Sequence, residues 1–226
     1  MRSAHPGPVH VVGAGPGVGA AVARRFARAG HPVGLVAPDP ARLAALTLDL
    51  IAEAVATESY PADASDPVEL ARALTVLAER QGPAEVLCFG PAPGAVLSES
   101  VPETGAAELE RASASHVVGA AAAVQAVLPA MRTAGRGSLL FVTDGAEAAH
   151  AHPERAASAV VGSAQRAYVA LLAESLADSP LHVAHLALTG PARTHDPDRV
   201  ADRLWRLHHV GGPAYAVLEE RPGAQR

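Results

Sequence analysis

Apolar and polar positions alternate along the chain in two recurring patterns. Short apolar runs, the first at residues 9–12, are bounded by glycine, proline or polar residues, which is typical of strands buried in a sheet. Between these runs, apolar residues recur at every third or fourth position, which predicts helices. The predicted strands are residues 9–12, 33–37, 58–61, 85–90, 138–143, 181–188 and 214–218. The predicted helices are 20–29, 40–55, 66–80, 103–131, 156–177 and 198–208.

Strands that alternate with helices predict one fold class. Each strand, helix, strand unit requires a right-handed crossover, so the strands become parallel and the helices cover both faces of the sheet. We therefore expect an α/β fold with a doubly wound parallel sheet of about seven strands. A chain of 226 residues without linkers or repeats predicts a single domain over residues 1–226, with mobile ends at about 1–6 and 221–226.

Composition narrows the choice of ligand. The chain is 49% hydrophobic but only 3% aromatic, so its core must be built from alanine, valine and leucine. A formal charge of −5 with scattered arginines argues against nucleic acid and favours a small-molecule substrate. The one cysteine, Cys88, excludes an internal disulfide bond. We expect no membrane span and no signal peptide, and hence a cytoplasmic protein.

One absence constrains the chemistry. All 18 basic residues are arginine, and the sequence contains no lysine. A mechanism that requires a lysine amine is therefore excluded.

A glycine-rich turn between the first strand and the first helix predicts an anion site. It reads Gly-Ala-Gly-Pro-Gly-Val-Gly over residues 13–19. Missing side chains allow a pyrophosphate to approach backbone amides and the positive end of the helix. Glycines are common in turns of every kind, so a glycine cluster alone is weak evidence. Its position directly after the first strand is what indicates a dinucleotide site. The expected cofactor contacts in this turn are Gly13, Gly15, Gly17, Val18 and Gly19.

The spacing G-x-x-x-G-x-G resembles the short-chain dehydrogenase/reductase family, and further matches follow in order along nearly the whole chain. Asp63 stands where that family contacts adenine, and residues 126–131 close the fifth helix in the family's manner. Residues 189–194 resemble the family's nicotinamide loop, with Gly190 and Thr194 retained and the proline displaced. The resemblance implies a Rossmann-type fold, an NAD or NADP cofactor, and a homo-oligomer formed through the two long alanine-rich helices.

The form of the cofactor depends on the residues after the second strand. NADP specificity usually needs an arginine just there, whereas Ala37-Pro38-Asp39 offers a carboxylate that can hold ribose hydroxyls. Asp39 therefore favours NAD over NADP, although an aspartate before Pro40 is equally typical of a helix start. Arg42 is interpreted as a solvated helix arginine. The chain could also bind no dinucleotide at all.

The pattern of the resembled family breaks at its proton relay, which consists of an asparagine, a serine, and a tyrosine followed four residues later by a lysine. Alignment places His116 at the asparagine and Asp144 at the serine, with Thr143 one residue away. The same comparison places Gly162 at the tyrosine and Arg166 at the lysine. The asparagine-rich turn after the fourth strand is also altered, and begins with Gly90.

These replacements change the available acid–base chemistry. Glycine has no proton to give, and an arginine with a pKa above about 12 does not shuttle protons. An imidazole at His116 beside a carboxylate at Asp144 could form an acid–base pair at neutral pH. The alternative is drift after loss of function, with His116 a packed helix residue. His150 and His152 follow the fifth strand and are alternative acids, while no third ligand accompanies them to hold a metal.

Three functions remain open from the sequence. The first, which the missing relay favours, is a non-redox enzyme of secondary metabolism, such as a cyclase, dehydratase or isomerase. The second is an NAD(P)-dependent oxidoreductase, for example a ketoreductase, with a relocated proton donor. The third is a catalytically silent subunit that binds cofactor or a partner. A change in absorbance at 340 nm, which reports reduced nicotinamide, separates the second from the others.

Overall fold

A seven-stranded parallel sheet forms the centre of the protein. The structure is a computed structural model that describes residues 6–90, 100–143, 156–189 and 194–219. The strands lie in the order β3-β2-β1-β4-β5-β6-β7, so the order reverses between β1 and β4. All six neighbouring pairs are parallel. The strands are β1 Val9–Val12, β2 Val33–Ala37, β3 Thr57–Pro61, β4 Val86–Phe89, β5 Gly137–Thr143, β6 Leu181–Leu188 and β7 Tyr215–Leu218.

Helices cover both faces of the sheet. Leucines, valines and alanines of α1, α2 and α7 pack in one buried cluster, and those of α3, α5 and α6 pack in the other. The helices are α1 Val18–Ala27, α2 Pro40–Ala52, α3 Pro67–Gln81, α4 Ala106–Ser113, α5 Gly119–Ala134, α6 Ala156–Ser175 and α7 Pro197–Val210. The Rossmann-type α/β fold with seven parallel strands is therefore confirmed.

Three helices begin at an Asp-Pro pair. Asp39, Asp66 and Asp196 each accept hydrogen bonds from backbone amides of the first turn of α2, α3 and α7. The proline that follows each aspartate lacks an amide hydrogen and already holds a helical φ angle. The sequence therefore specifies these three helix starts locally, and the predicted starts at 40 and 66 lie within one residue of those observed.

The long helix predicted over residues 103–131 has a different construction. It begins at Ala106 after Gly105, and a π-helical turn over Ala114–Val118 interrupts it before α5 continues to Ala134. Helical periodicity alone does not reveal a π-helical turn, because its five residues are too few to show a period of their own. Such turns are frequent at functional sites.

The same helical segment, Ala106–Ala134, is long and apolar enough to cross a membrane by length and composition. Core helices pass this test as well, and α5 buries Ala120, Ala123 and Val127 against the sheet. The predicted mobile ends, about 1–6 and 221–226, fall outside the described residues except for residue 6.

Candidate functional site

A cavity of about 580 Å³ opens where β1, β2 and β3 end. This is where ligands bind in open parallel sheets, beside the point at which strand order reverses. Most of its lining is apolar, with a few charged groups on one side. It is lined by residues 12–16, residues 36–39, Arg42, Ala45, Leu46, Asp49, residues 62–64 and Ser115.

The glycine turn forms the wall of this cavity at the end of β1. Gly13 has a φ of +92°, a conformation that favours glycine. Its amide and that of Ala14 both donate to the carbonyl oxygen of Val36, at 2.9 and 3.1 Å. A Cβ on Gly19 would lie 2.8 Å from the Cα of Ala14 and the carbonyl oxygen of Gly13. Glycine is therefore required at position 13 by the backbone conformation and at position 19 by the close approach of the backbone at residues 13 and 14.

Two other glycines of the turn face open space. A Cβ on Gly15 or Gly17 would meet no atom within 4 Å. Gly17 is also the N-cap of α1, where no side chain of the described residues caps the helix, and Val18 is the first helical residue. The turn thus leaves room beside a positively polarised helix end, which is the arrangement that phosphate groups require.

Asp39 and Arg42 form a charged pair on the opposite side of the cavity. One carboxylate oxygen of Asp39 accepts from the amides of Ala41 and Arg42, at 3.0 and 3.1 Å. The other lies 3.2 Å from Nε of Arg42. Asp39 therefore caps α2, as one sequence interpretation predicted, and it also lines the cavity, where its binding of ribose hydroxyls stays a prediction. Arg42, which we had interpreted as solvated, is 85% exposed and also lines the cavity.

Asp63 lies in the wall after β3. Its Oδ1 accepts from the amide and the hydroxyl of Ser65, both at 2.8 Å, which fixes the loop. Ala64 follows it, and its carbonyl oxygen packs against Gly119 so closely that a Cβ on Gly119 would overlap it. The contact with Gly119 of α5 thus fixes the position of the loop, and the loop places Asp63 in the cavity wall.

Ser115 brings the π-helical turn into the cavity wall, whereas the next residue, His116, faces the protein interior and is 6% exposed. Ser115 Oγ lies 2.8 Å from Nδ1 of His116. The same ring nitrogen lies 3.1 Å from the carbonyl oxygen of Ala112. The sequence pattern identifies His116 but not Ser115, because nothing in the pattern distinguishes a serine that lines a cavity from any other helix serine.

Arg166 lies apart from the cavity. It is exposed, and its guanidinium carbon lies 4.0 Å from the ring centroid of Tyr215 in a cation–π contact. Its charge also acts on His185 of β6, whose pKa falls to about 4, chiefly because of burial and then because of Arg166. Nε2 of His185 lies 2.8 Å from the hydroxyl of Thr143. A catalytic role for Arg166, which would keep the positive charge of the family's lysine without shuttling protons, stays a prediction.

Two further cofactor contacts predicted from the sequence, Gly90 and Thr194, are not among the residues that line the cavity. The amide of Gly90 donates to the carbonyl oxygen of Val12 at 3.0 Å, and a Cβ on Gly90 would lie 3.2 Å from that of Val142. Thr194 stands just before the N-terminus of α7.

The remaining candidates fall outside the described residues. These are Asp144, His150, His152 and Gly190. The proposed pair of His116 and Asp144 is therefore untested, and within the described residues no cluster of three or more metal-ligating side chains occurs.

Comparison with known proteins identifies the family to which the chain belongs. Residues 8–181 match the family model described as short chain dehydrogenase. Among curated proteins, none matches the chain significantly. The family assignment therefore rests on the match to the family model.

Several solved structures share the fold. A metagenomic short-chain oxidoreductase in complex with NADP has a TM-score of 0.84 at 23% identity, covering 95% of this chain and 97% of its own. The L-sorbose reductase of Gluconobacter frateurii, complexed with NADPH and L-sorbose, has a TM-score of 0.84 at 17% identity, with coverage of 97% and 98%. An alcohol dehydrogenase of the archaeon Thermococcus sibiricus, complexed with 5-hydroxy-NADP, has a TM-score of 0.81 at 22% identity, with coverage of 98% and 99%.

Proposed function

The chain belongs to the short chain dehydrogenase family, and on that premise we propose that it is a nicotinamide-dinucleotide-dependent oxidoreductase that interconverts a carbonyl compound and an alcohol. The observation that carries the proposal is the cavity of about 580 Å³ beside the glycine turn. Its place at the ends of β1 to β3 is where a dinucleotide binds in this kind of sheet. We therefore prefer redox chemistry to the non-redox reading that the sequence favoured.

The described residues fit the adenosine and pyrophosphate parts of a dinucleotide. Open space at Gly15 and Gly17, next to the uncapped end of α1, suits the pyrophosphate. The apolar wall around Ala62 and Leu46 suits a flat aromatic base, and Asp63 stands at its edge. When bound, the nicotinamide would supply or accept a hydride, and the protein would supply binding and a proton.

The charged pair supports binding of the phosphorylated cofactor. One carboxylate oxygen of Asp39 caps α2 and the other pairs with Arg42. The carboxylate is therefore less able to accept hydrogen bonds from ribose hydroxyls than the sequence suggested. Arg42 is exposed at the cavity and carries a guanidinium that can hold a 2′-phosphate. The NADP, NADPH and 5-hydroxy-NADP complexes of the structural neighbours support the same choice. We therefore propose that NADP(H) is accepted at least as well as NAD(H).

The proton in this reaction is proposed to come from histidine. The sequence has no lysine, and Gly162 stands at the tyrosine position in our alignment, so neither member of the family's usual pair is available there. His116 is buried directly behind Ser115 of the cavity wall and is our first candidate, with Asp144 as its expected partner. His150 and His152 are the alternatives.

One sequence observation supports a second candidate function. A chain without lysine that keeps the dinucleotide cavity could bind cofactor and perform non-redox acid–base chemistry, or none. Titration with NADPH and NADH, followed by nicotinamide fluorescence, tests whether the cavity holds a dinucleotide at all. Absorbance at 340 nm with a panel of ketones, aldehydes and alcohols then separates the two functions. Binding without turnover of any of them favours the second.

We further propose that the protein forms a homo-oligomer through α6 and the neighbouring α5. Four exposed apolar residues follow one another along α6 at spacings of four and three, which places them on one face. The outer two are Val160, which is 52% exposed, and Leu171, which is 64% exposed. Between them lie Ala164 and Ala167, whose small side chains allow a second helix to approach closely. A two-fold symmetric contact of this face with its copy would bury the stripe.

A further inference from the structure

Ser115 places a hydroxyl group in the wall of the cavity. It lies in the π-helical turn Ala114–Val118, one helical turn before Gly119. Gly119 packs against the carbonyl oxygen of Ala64, the residue that follows Asp63. Residues one helical turn apart lie on the same side of a helix, roughly 5–6 Å from each other. Ser115 and the loop that carries Asp63 therefore form adjacent parts of one wall.

The hydrogen of the Ser115 hydroxyl is used inside the helix. Ser115 Oγ lies 3.1 Å from the carbonyl oxygen of Ala112 and 3.4 Å from that of Arg111, and carbonyl oxygens can only accept. It also lies 2.8 Å from Nδ1 of His116. If Nδ1 carries a hydrogen, the ring donates to Ser115 and the hydroxyl donates to a carbonyl oxygen. If Nδ1 carries none, the hydroxyl donates to the ring.

Both arrangements leave a hydrogen-bond acceptor for the cavity. A hydroxyl group has one hydrogen and two lone pairs. The hydrogen stays within the helix in either case, and Nδ1 of His116 takes at most one of the lone pairs. At least one lone pair of Ser115 Oγ is therefore left for a ligand, whichever ring nitrogen of His116 is protonated.

Asp63 presents a second acceptor on the same wall. Its Oδ1 accepts from the amide and the hydroxyl of Ser65, which leaves Oδ2 for the cavity. A ligand that pairs with two acceptors must carry two donors, and the exocyclic amine of adenine has two N–H groups. A 6-oxo purine such as hypoxanthine has a carbonyl oxygen at the same position. Two acceptors would then face each other unpaired.

We propose that Ser115 is a specificity-determining residue, which accepts a hydrogen bond from the exocyclic amine of adenine and so selects an adenine dinucleotide over one with a 6-oxo purine. The inference rests on the proposed function, because it takes the dinucleotide as the occupant of the cavity. It adds Ser115 to the contact with adenine that the family resemblance implied for Asp63.

The test compares two reduced dinucleotides that differ only in the base. NADPH carries adenine, and reduced nicotinamide hypoxanthine dinucleotide phosphate carries hypoxanthine. Fluorescence titration gives a dissociation constant for each without any turnover, and NADH with its hypoxanthine analogue forms a second pair. Ser115→Ala removes the acceptor, and Ser115→Thr keeps it. Ser175→Ala is the matched control, because Ser175 also donates to a helix carbonyl but lies outside the cavity wall.

We expect the wild type to bind NADPH more than about tenfold more tightly than the hypoxanthine analogue. In Ser115→Ala this preference should fall about fivefold, which corresponds to one hydrogen bond. In Ser115→Thr and Ser175→Ala it should stay at the value of the wild type. The ratio of the two affinities is decisive, because a merely structural effect of a substitution weakens both dinucleotides equally.

The possible failures are distinguishable. A wild type without this preference, or a preference that is the same in Ser115→Ala as in the wild type, overturns the inference alone. Failure of both NADPH and NADH to bind the wild type overturns the proposed function together with the inference.

Discussion

Gly119 packs directly against the carbonyl oxygen of Ala64, and this contact joins α5 to the loop that follows β3. Ala62, Asp63 and Ala64 line the cavity from that loop, and Ser115 lines it from the π-helical turn just before Gly119. Because a Cβ on Gly119 would overlap the carbonyl oxygen, the two walls can be this close only with glycine at this position.

The first prediction concerns this contact. Alanine normally favours a helix over glycine by about 1 kcal/mol, but in Gly119→Ala the methyl group must push α5 and the Ala64 loop apart. Overpacking of this kind costs roughly 1–3 kcal/mol, so we expect a net loss in the free energy of unfolding and weaker NADPH binding. Urea denaturation and fluorescence titration measure the two effects. Gly105→Ser, at a helix start with open space around it, should lower neither the free energy of unfolding nor the affinity for NADPH. Gain of stability in Gly119→Ala would contradict the packing argument.

The sequence predicted the architecture well because its signals are local. Apolar runs located all seven strands to within one residue at each end, and Asp-Pro pairs located the starts of α2 and α3. Strand order was not predicted beyond the parallel crossovers, because it depends on contacts between distant segments. The π-helical turn was not predicted, because its five residues are too few to show a period of their own within the helical pattern.

The candidate site was only partly predictable. The position of the glycine turn and of Asp63 in the sequence pattern identifies them, and Asp63 lines the cavity together with residues 13–16 of the turn. The predicted contacts Gly17, Val18 and Gly19 are not among the residues that line it. Ser115 and Arg42 carry no such signal, since a serine or an exposed arginine in a helix is ordinary. Their relevance comes from where the helix places them, which depends on the tertiary contact between Gly119 and Ala64 and on the first turn of α2.

The second prediction concerns acid stability. His10 in β1, an inner strand of the sheet, is fully buried, and neither ring nitrogen has a hydrogen-bond partner among the described residues. Burial lowers its pKa from 6.5 to about 4. Between these values the unfolded chain binds a proton that the folded chain does not, so the free energy of unfolding falls as the pH drops from 6.5 to 4 and levels off below. This one group accounts for on the order of 3 kcal/mol across that window.

His10→Leu tests this prediction. Removing an unsatisfied buried imidazole should stabilise the protein by roughly 1–3 kcal/mol at pH 7, and by more at pH 5. Urea denaturation between pH 7 and pH 4.5 measures the slope, which should become shallower than that of the wild type. It should not become flat, because burial also lowers the pKa of His185 and His208 to about 4. The exposed His209, changed to Gln, should alter the slope far less, because its charge is only a minor cause of the lowered pKa of His208. An unchanged slope in His10→Leu would mean that other groups govern acid unfolding.

The third prediction concerns the end of α2. Ala54 has a φ of +61°, and its amide and that of Val55 donate to the carbonyl oxygens of Ile51 and Leu50, at 2.9 and 3.0 Å. A helix end in this left-handed conformation favours glycine. Ala54→Gly should therefore raise the free energy of unfolding by about 0.5–1 kcal/mol, as seen by thermal denaturation. Ala44→Gly, in the exposed middle of the same helix, should lower it by about 1 kcal/mol. Equal signs for the two variants would refute this explanation.

The fourth prediction concerns the form of the cofactor. Arg42→Gln removes the guanidinium at the cavity and should weaken NADPH binding about tenfold while leaving NADH nearly unchanged, because only NADPH carries the 2′-phosphate. Asp39→Ser keeps a side chain that can cap α2 but removes the negative charge, so it should strengthen NADPH binding and weaken NADH binding. Fluorescence titration gives both dissociation constants for each variant. Arg72→Gln, on the exposed side of α3, is the control arginine. If Arg42→Gln weakened the binding of NADPH and NADH equally, Arg42 would have a role other than recognition of the 2′-phosphate.

The fifth prediction concerns assembly. If the stripe from Val160 to Leu171 on α6 meets its copy across a two-fold axis, a carboxylate at Leu171 would be buried without a partner charge in an apolar contact. Leu171→Glu should therefore convert the oligomer to monomer, as measured by light scattering coupled to size-exclusion chromatography. Leu48→Glu is a matched control, since Leu48 is 66% exposed against 64% for Leu171 but lies on α2. The two leucines lose similar contacts with the rest of their own chain, so any difference in assembly reports the face of α6. The proposed interface on this face would be refuted by a monomeric wild type, or by a Leu48→Glu variant that dissociates to the same extent.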